Sequence, residues 1–215
     1  MSEAGPPQLR VDGSAVRGKG AQTRRRLLEA AEAVFADLGY HDASIVKITE
    51  TAGVAQGTFY IYFEGKRAVF DELVEDLNRR VRHAMAEASR AGRSRVEAER
   101  LGFAAFFRFT AEHPALYRVI RQAEFVSPRV MRLHYDRIAE GYMEGLRAAM
   151  AAGEIAEADP LVEAWALMAV GEMIGMRWIL WSEEGADGLS PEIFEETMAL
   201  VARALGSGQR RRRGR

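Results

Sequence analysis

Residues 44–66, SIVKITETAGVAQGTFYIYFEGK, decide the fold. They read as two short helices joined by a tight glycine turn, followed by the start of a third. Ser44 suits the N-cap of the first helix, because its hydroxyl can accept from an unpaired first-turn N–H. Ile45, Ile48 and Ala52 recur at the spacing of one buried helical face, and Gly53 supplies the left-handed conformation that ends a helix. In the second helix Phe59 and Phe63 stand four apart and anchor one side inward. That turns Gly57, Tyr60 and Ile61 outward, with Gln56, Thr58 and Tyr62 at the margins. A short helix fixed on one side and polar-aromatic on the other is what a helix-turn-helix offers to a DNA major groove.

On either side of this stretch, every strong segment has a helical period. Helix 1 spans about 22–39, with Leu27, Leu28, Ala31, Val34, Phe35 and Leu38 on one face. Helix 4 runs from near Gly65 to about Ser89 with a stripe of Phe70, Leu73, Leu77, Val81 and Met85. Helix 5 spans about 93–112 and stops at His113-Pro114. Helix 6 covers roughly 115–124. Three polar-Pro pairs, Ser127-Pro128, Asp159-Pro160 and Ser190-Pro191, open helices 7, 8 and 9, each joining an N-cap residue to a Pro in the first turn. Helix 8 is expected over about 160–183 and helix 9 over 191–205. No alternating strand pattern and no internal repeat is present, so the fold class is all-α with about nine helices. The expected organisation is a basic arm at 1–20, a DNA-binding domain at 21–81 with its helix-turn-helix at about 44–63, a second helical domain at 82–206, and a basic tail at 207–215.

Composition narrows the class further. The 48% hydrophobic content suffices for packed cores, and there is no cysteine, so disulfides, thiol catalysis and thiolate metal sites are excluded. The first residues lack the apolar run of a secretory signal. The apolar stretch 165–181 is interrupted by Glu172 and Arg177, so it reads as a core helix and the chain is expected in the cytoplasm. Net charge is −1, but its distribution is uneven. Arg10, Arg17, Lys19, Arg24, Arg25 and Arg26 face only Asp12, the last seven residues hold five Arg, and residues 68–208 carry 16 Arg against 23 Asp and Glu. An acidic body with a basic N-terminal arm points to one end that meets a polyanion.

The stretch also resembles the DNA-binding segment of the tetracycline-repressor (TetR) family, in which a Gly-Val turn precedes G-T-(L/F)-Y-x-(Y/H)-F and a Lys. Here these are Gly53-Val54, Gly57-Thr58-Phe59-Tyr60-Ile61-Tyr62-Phe63 and Lys66, and the likeness extends upstream through 23–31, TRRRLLEAA, and 35–40, FADLGY. The resemblance implies that Gln56 reads a base edge, that Gly57 lets the backbone approach the bases, and that Thr58, Tyr60 and Tyr62 touch phosphates. It implies a phosphate contact for Lys66 and places Ser44 and Lys47 beside the DNA backbone. Two departures stand out. Ile61 replaces a common Tyr or Trp, which favours an apolar contact such as a thymine methyl, and Gly65 leaves the fourth helix without a side-chain cap.

For the second domain the resemblance implies a small, largely apolar effector and a homodimer formed through the last two helices. Phe103, Phe106, Phe107, Tyr117, Tyr142, Trp165, Met168, Glu172 and Met176 are the candidate effector residues, since Met and aromatic groups suit an adaptable apolar cavity. Glu172, set among apolar neighbours, needs a partner or water; Arg177 and Arg121 are candidates. Gly171 and Gly175, four apart on helix 8, and Trp178 are the candidate dimer contacts. The reading is a ligand-responsive repressor that binds a palindromic double-stranded operator as a dimer, with no cofactor or metal. The alternative is a DNA-binding protein without a small effector, switched by a partner or acting architecturally. An enzyme is set aside for want of a nucleophilic Cys, a Gly-rich phosphate loop or His spacing for a metal.

Overall fold

Caps and apolar stripes together place the helices. In the computed structural model, which describes residues 9–15, 17–182 and 188–206, the order is α1 (Lys19–Asp42), α2 (Ile45–Ala52), α3 (Gln56–Tyr62), α4 (Lys66–Ser89), α5 (Arg95–Glu112), α6 (Ala115–Val126), α7 (Pro128–Ala151), α8 (Pro160–Gly175) and α9 (Pro191–Ala204). Among the described residues there is no strand beyond a single bridge between Leu9 and Ala15. The N-caps are chemical. Ser44 Oγ accepts from Lys47 N–H at 3.1 Å and Ser94 Oγ from Glu97 N–H at 3.3 Å. At the polar-Pro starts, Asp159 Oδ1 accepts from Leu161 N–H at 2.8 Å and Ser190 Oγ from Ile193 N–H at 3.4 Å. The expected basic tail at 207–215 lies outside the described residues.

Two starts and ends differ from expectation for local reasons. Gly39 adopts φ 76° inside α1, so the helix breaks there and Ala43 N–H returns to Gly39 O at 3.1 Å. After Gly175 the last expected turn of helix 8 widens over Met176–Leu180, where Trp181 N–H bonds to Met176 O five residues back at 3.1 Å.

The chain forms two compact units, one from 1–76 with 118–131 and one from 77–117 with 132–215. The first therefore gathers part of α6 into it, which two consecutive domains would not do. Gln122 accepts from Tyr40 N–H through its side chain, Arg118 donates to Ala36 O at 3.1 Å, and Arg67 donates to the buried Ser127 hydroxyl at 3.0 Å. Its core is Leu27, Ala31, Phe35, Ile48, Phe59 and Phe70, all fully enclosed. The second unit packs α5, α7, α8 and α9 around Phe103, Phe107, Leu146, Ala164, Val201 and Leu205. Among the described residues no helix is long and apolar enough to cross a membrane.

Candidate nucleic-acid interface

The helix-turn-helix is built from the inside. Phe59 is completely buried and Phe63 nearly so, their rings 5.4 Å apart, and this pair fixes the roll of α3. Gly53 takes φ 63° and ψ 42°, the left-handed conformation a side chain would resist, and turns the chain from α2 into α3. With Phe59 inward, Gln56, Gly57, Tyr60 and Ile61 all face solvent, Tyr60 and Ile61 nearly half exposed. Thr58 is half-buried beside them, and Ser44 and Lys47 are exposed at the start of α2.

Gly57 is informative. A glycine in a helix costs about 1 kcal/mol relative to alanine, and a Cβ at this position would meet no atom of the chain within 4 Å. Packing among the described residues therefore does not require the glycine. It leaves the first turn of α3 bare between Gln56 and Tyr60.

Two residues matched to phosphate contacts have other work. The Lys66 ammonium donates to Tyr40 O at 2.7 Å, Ala43 O at 2.8 Å and His41 O at 3.3 Å, and lies 4.5 Å from the centre of the Tyr40 ring. It caps the end of α1, where the break at Gly39 leaves carbonyls without partners. Tyr62 is buried at 8% exposure, packed inward instead of lying at the margin. The basic run before the helix-turn-helix is partly spent in the same way. Arg24 pairs with Glu72 through both guanidinium arms and lies over the Phe63 ring, and Arg26 donates to Ala52 O and Gly53 O at the end of α2. Spacing alone did not distinguish these arginines from Arg25, which stays exposed with Glu29 3.6 Å away.

The candidate effector residues are distributed differently from expectation. Phe103, Phe106 and Phe107 pack on one another, and Tyr117 is buried with its hydroxyl reaching Gly171 O and Glu172 O at 3.3 and 3.1 Å. Burial, with the Glu172 charge behind it, pushes the Tyr117 phenol well above its ordinary range. Met168 is part-buried against the same core, Met176 is buried, and Trp165 is exposed, its ring tilted against Tyr135. The Tyr135 hydroxyl donates to the Glu172 carboxylate at 2.9 Å.

Of the whole set, only Tyr142 lines a cleft of about 170 Å3 in this unit, whose other walls include Arg95, Glu99 and Met85. The i, i+4 spacing of Arg95 and Glu99 was the available signal for it. Gly171 and Gly175 are buried within the protomer. A Cβ on Gly175 would lie 2.2 Å from the Tyr117 hydroxyl oxygen, and one on Gly171 would touch Phe103 and Phe106 at 3.5 Å. These glycines admit the chain's own aromatic rings. The opposite face of α8 is the exposed one, with Leu161, Val162, Trp165 and Met173 between 44% and 65% exposed; Trp178 is half-buried beside Arg177. Among the described residues no group of three or more metal-ligating side chains converges.

Residues 27–73 match the family of bacterial regulatory proteins of the tetR type. The chain is 45% identical over 67 residues to the uncharacterized HTH-type transcriptional regulator YdgC of Bacillus subtilis, covering 31% of this chain and 34% of that protein. It is 34% identical over 110 residues to the HTH-type transcriptional activator FasR of Mycolicibacterium smegmatis, covering 49% and 48%. These matches span a third to a half of each relative's length. The fold is shared more widely: Salmonella enterica GusR superposes with a TM-score of 0.74 at 23% identity over 88% of this chain and 98% of that one. A TetR family transcription regulator from Marinobacter aquaeolei VT8 gives 0.72 at 22% identity over 87% and 97%. Residues 27–73 are thus a DNA-binding segment of the tetR type, and the all-helical fold around them is the one shared with TetR-family regulators.

Proposed function

We propose that this protein is a dimeric repressor that reads a palindromic duplex operator through α3 and is released by a small, largely apolar effector. The observation that carries the DNA reading is the outward face of α3. Its side chains are exposed while Phe59 is fully buried, and Gly57 has no atom of the chain near its missing Cβ. Gln56 is the base reader, its amide matched to adenine N6 and N7. Gly57 allows the approach and Ile61 meets an apolar base edge. Thr58 and Tyr60 position the helix on phosphates, with Ser44 and Lys47 at the start of α2.

In this reading the first unit reads DNA and the second carries ligand and dimer contacts. The dimer reading rests on the apolar side of α8. Val162, Trp165 and Met173, with Leu200 on α9, leave large apolar groups in water, the kind of surface that an interaction covers. One short helix reads only a few base pairs, so a twofold pair of α3 helices supplies the length of a specific site. The effector then acts by differential affinity for the form whose two α3 helices misfit successive grooves.

Selection of bound fragments from random duplex DNA tests the core of this reading. Enrichment of an inverted repeat is the expected result. Retention of every sequence with equal affinity would leave a non-specific binder instead, and enrichment of a single half-site would refute the twofold reading.

A further inference from the structure

We propose that the cleft in the second unit is the effector site and that its ligand is a small monocarboxylate with an apolar body, its carboxylate paired with Arg82; this rests on the effector reading given above. The cleft runs along one face of α4, where Arg82 and Ser89 stand two turns or about 10 Å apart with Met85 and Ala86 between them. Ile138 of α7 adds to the apolar wall.

The two arginines of the cleft are in different electrical states. Arg95 is answered: it forms an ion pair with Glu99, which is 2% exposed, and its backbone N–H donates to Glu154 at 2.9 Å. The guanidinium is seated against Gly145, where any Cβ would collide with it. Burial raises the Glu99 carboxyl above its usual range, against the opposing pull of Arg95. Among the described residues Arg82 has no carboxylate partner. Its Nε donates to Asn78 Oδ1 at 3.0 Å, and Asn78 Nδ2 in turn contacts His134 O at 2.9 Å and His134 Nδ1 at 3.0 Å. His134 adds no anion either: burial first, and the Arg82 charge second, push its imidazole down to about 4, so it is neutral at physiological pH.

Arg82 is thus a cation among neutral groups at one end of a cleft, with Nε engaged and both Nη groups left for a ligand. Two parallel N–H groups match the two oxygens of a carboxylate. The methylene and methyl groups of Met85, Ala86 and Ile138 then receive an apolar body of a few carbons.

The test uses the full-length protein and three probes of equal length: hexanoate, hexanol and hexylammonium. Calorimetric titration is expected to show hexanoate binding at least tenfold more tightly than the other two. Arg82→Gln should erase that preference and Arg82→Lys should restore part of it. Gly141 lines the cleft and a Cβ there meets nothing within 4 Å, so Gly141→Phe should fold normally, with an unchanged melting temperature, and bind no probe. Equal binding of hexylammonium, undiminished hexanoate binding by Gly141→Phe, or no hexanoate binding at all would overturn the proposal. The two readings fail separately. Hexanoate that binds with the expected pattern but leaves the protein on its selected DNA sinks the effector reading and not the cleft chemistry. Release from DNA by another metabolite, with no hexanoate binding, sinks the carboxylate and not the effector reading.

Discussion

Two helices, α3 and α8, each bury one side and leave the other to solvent, and the two exposed sides have opposite chemistry. On α3 the outward residues are an amide, a bare glycine, a phenol and one Ile. On α8 they are Leu161, Val162, Trp165 and Met173. Water tolerates the first set at little cost and the second at a loss of about 25 cal/mol for each Å2 of apolar surface left uncovered. The first therefore suits a polar partner that comes and goes, such as a DNA backbone, while the second calls for a lasting apolar cover, such as the same face of a second copy. An exposed face is informative by what it would lose or gain on contact, not by exposure alone.

The sharpest way to break the α3 half of this contrast is to remove its anchor. Phe59→Ala deletes a fully buried ring and should destabilise the protein by about 3–5 kcal/mol, read as a lower urea midpoint together with loss of all DNA binding. A stable Phe59→Ala variant that still binds its operator would mean that α3 is not held from within. For α8, the double change Val162→Glu with Met173→Glu places charge on the apolar face. Sedimentation should then show a dimer dissociation constant raised at least ~100-fold, or about 2.7 kcal/mol, with the melting of the isolated protomer little changed. An undisturbed dimer would move the interface elsewhere.

Lys66→Met separates structure from contact. Loss of its three bonds to the end of α1 should cost about 1–3 kcal/mol in stability, while the variant, where folded, keeps the sequence preference of the parent. A stable variant with a reduced salt slope would return Lys66 to the phosphates. The smallest effects lie on the outward face itself. Gln56→Ala should relax selection at one base pair of each half-site by about 1–3 kcal/mol. Tyr60→Phe, which deletes one hydroxyl, should weaken binding to every duplex by about 0.5–1.5 kcal/mol. A uniform loss from Gln56→Ala would remove its base-reading role.

Much of the fold was legible because its punctuation is local. A Ser or Asp before Pro fixes a helix start by the geometry of one turn, and the structure has α7, α8 and α9 beginning at Pro128, Pro160 and Pro191. The roll of α3 was legible for the same reason, since Phe59 and Phe63 lie within one turn of each other. What was not legible depends on distant partners. Lys66 reaches carbonyls 23 to 26 residues away, Arg24 pairs with Glu72, and α6 sends Arg118 back to Ala36. Residue type misled at the cleft as well: Phe103, Phe106 and Phe107 pack on one another, while Arg82, Arg95 and Glu99 stand in its walls beside Met85 and Ile138. Gly171 and Gly175 were expected at a dimer contact, but the groups that approach them, Phe103, Phe106 and Tyr117, come from the same chain.

The wide turn at Met176–Leu180 has a consequence for how this segment can vary. An α-helix repeats every 3.6 residues, and a turn closed by a bond from residue 181 to residue 176 holds one residue more than that rhythm allows. Trp181, which follows it, is rotated out of register with the stripe that begins at Val162. The surplus residue works as a phase shifter between one side of α8 and Trp181. Excising a single residue there would shorten the chain by one peptide and turn the indole of Trp181 by about a quarter of a revolution, toward neighbours it does not now have.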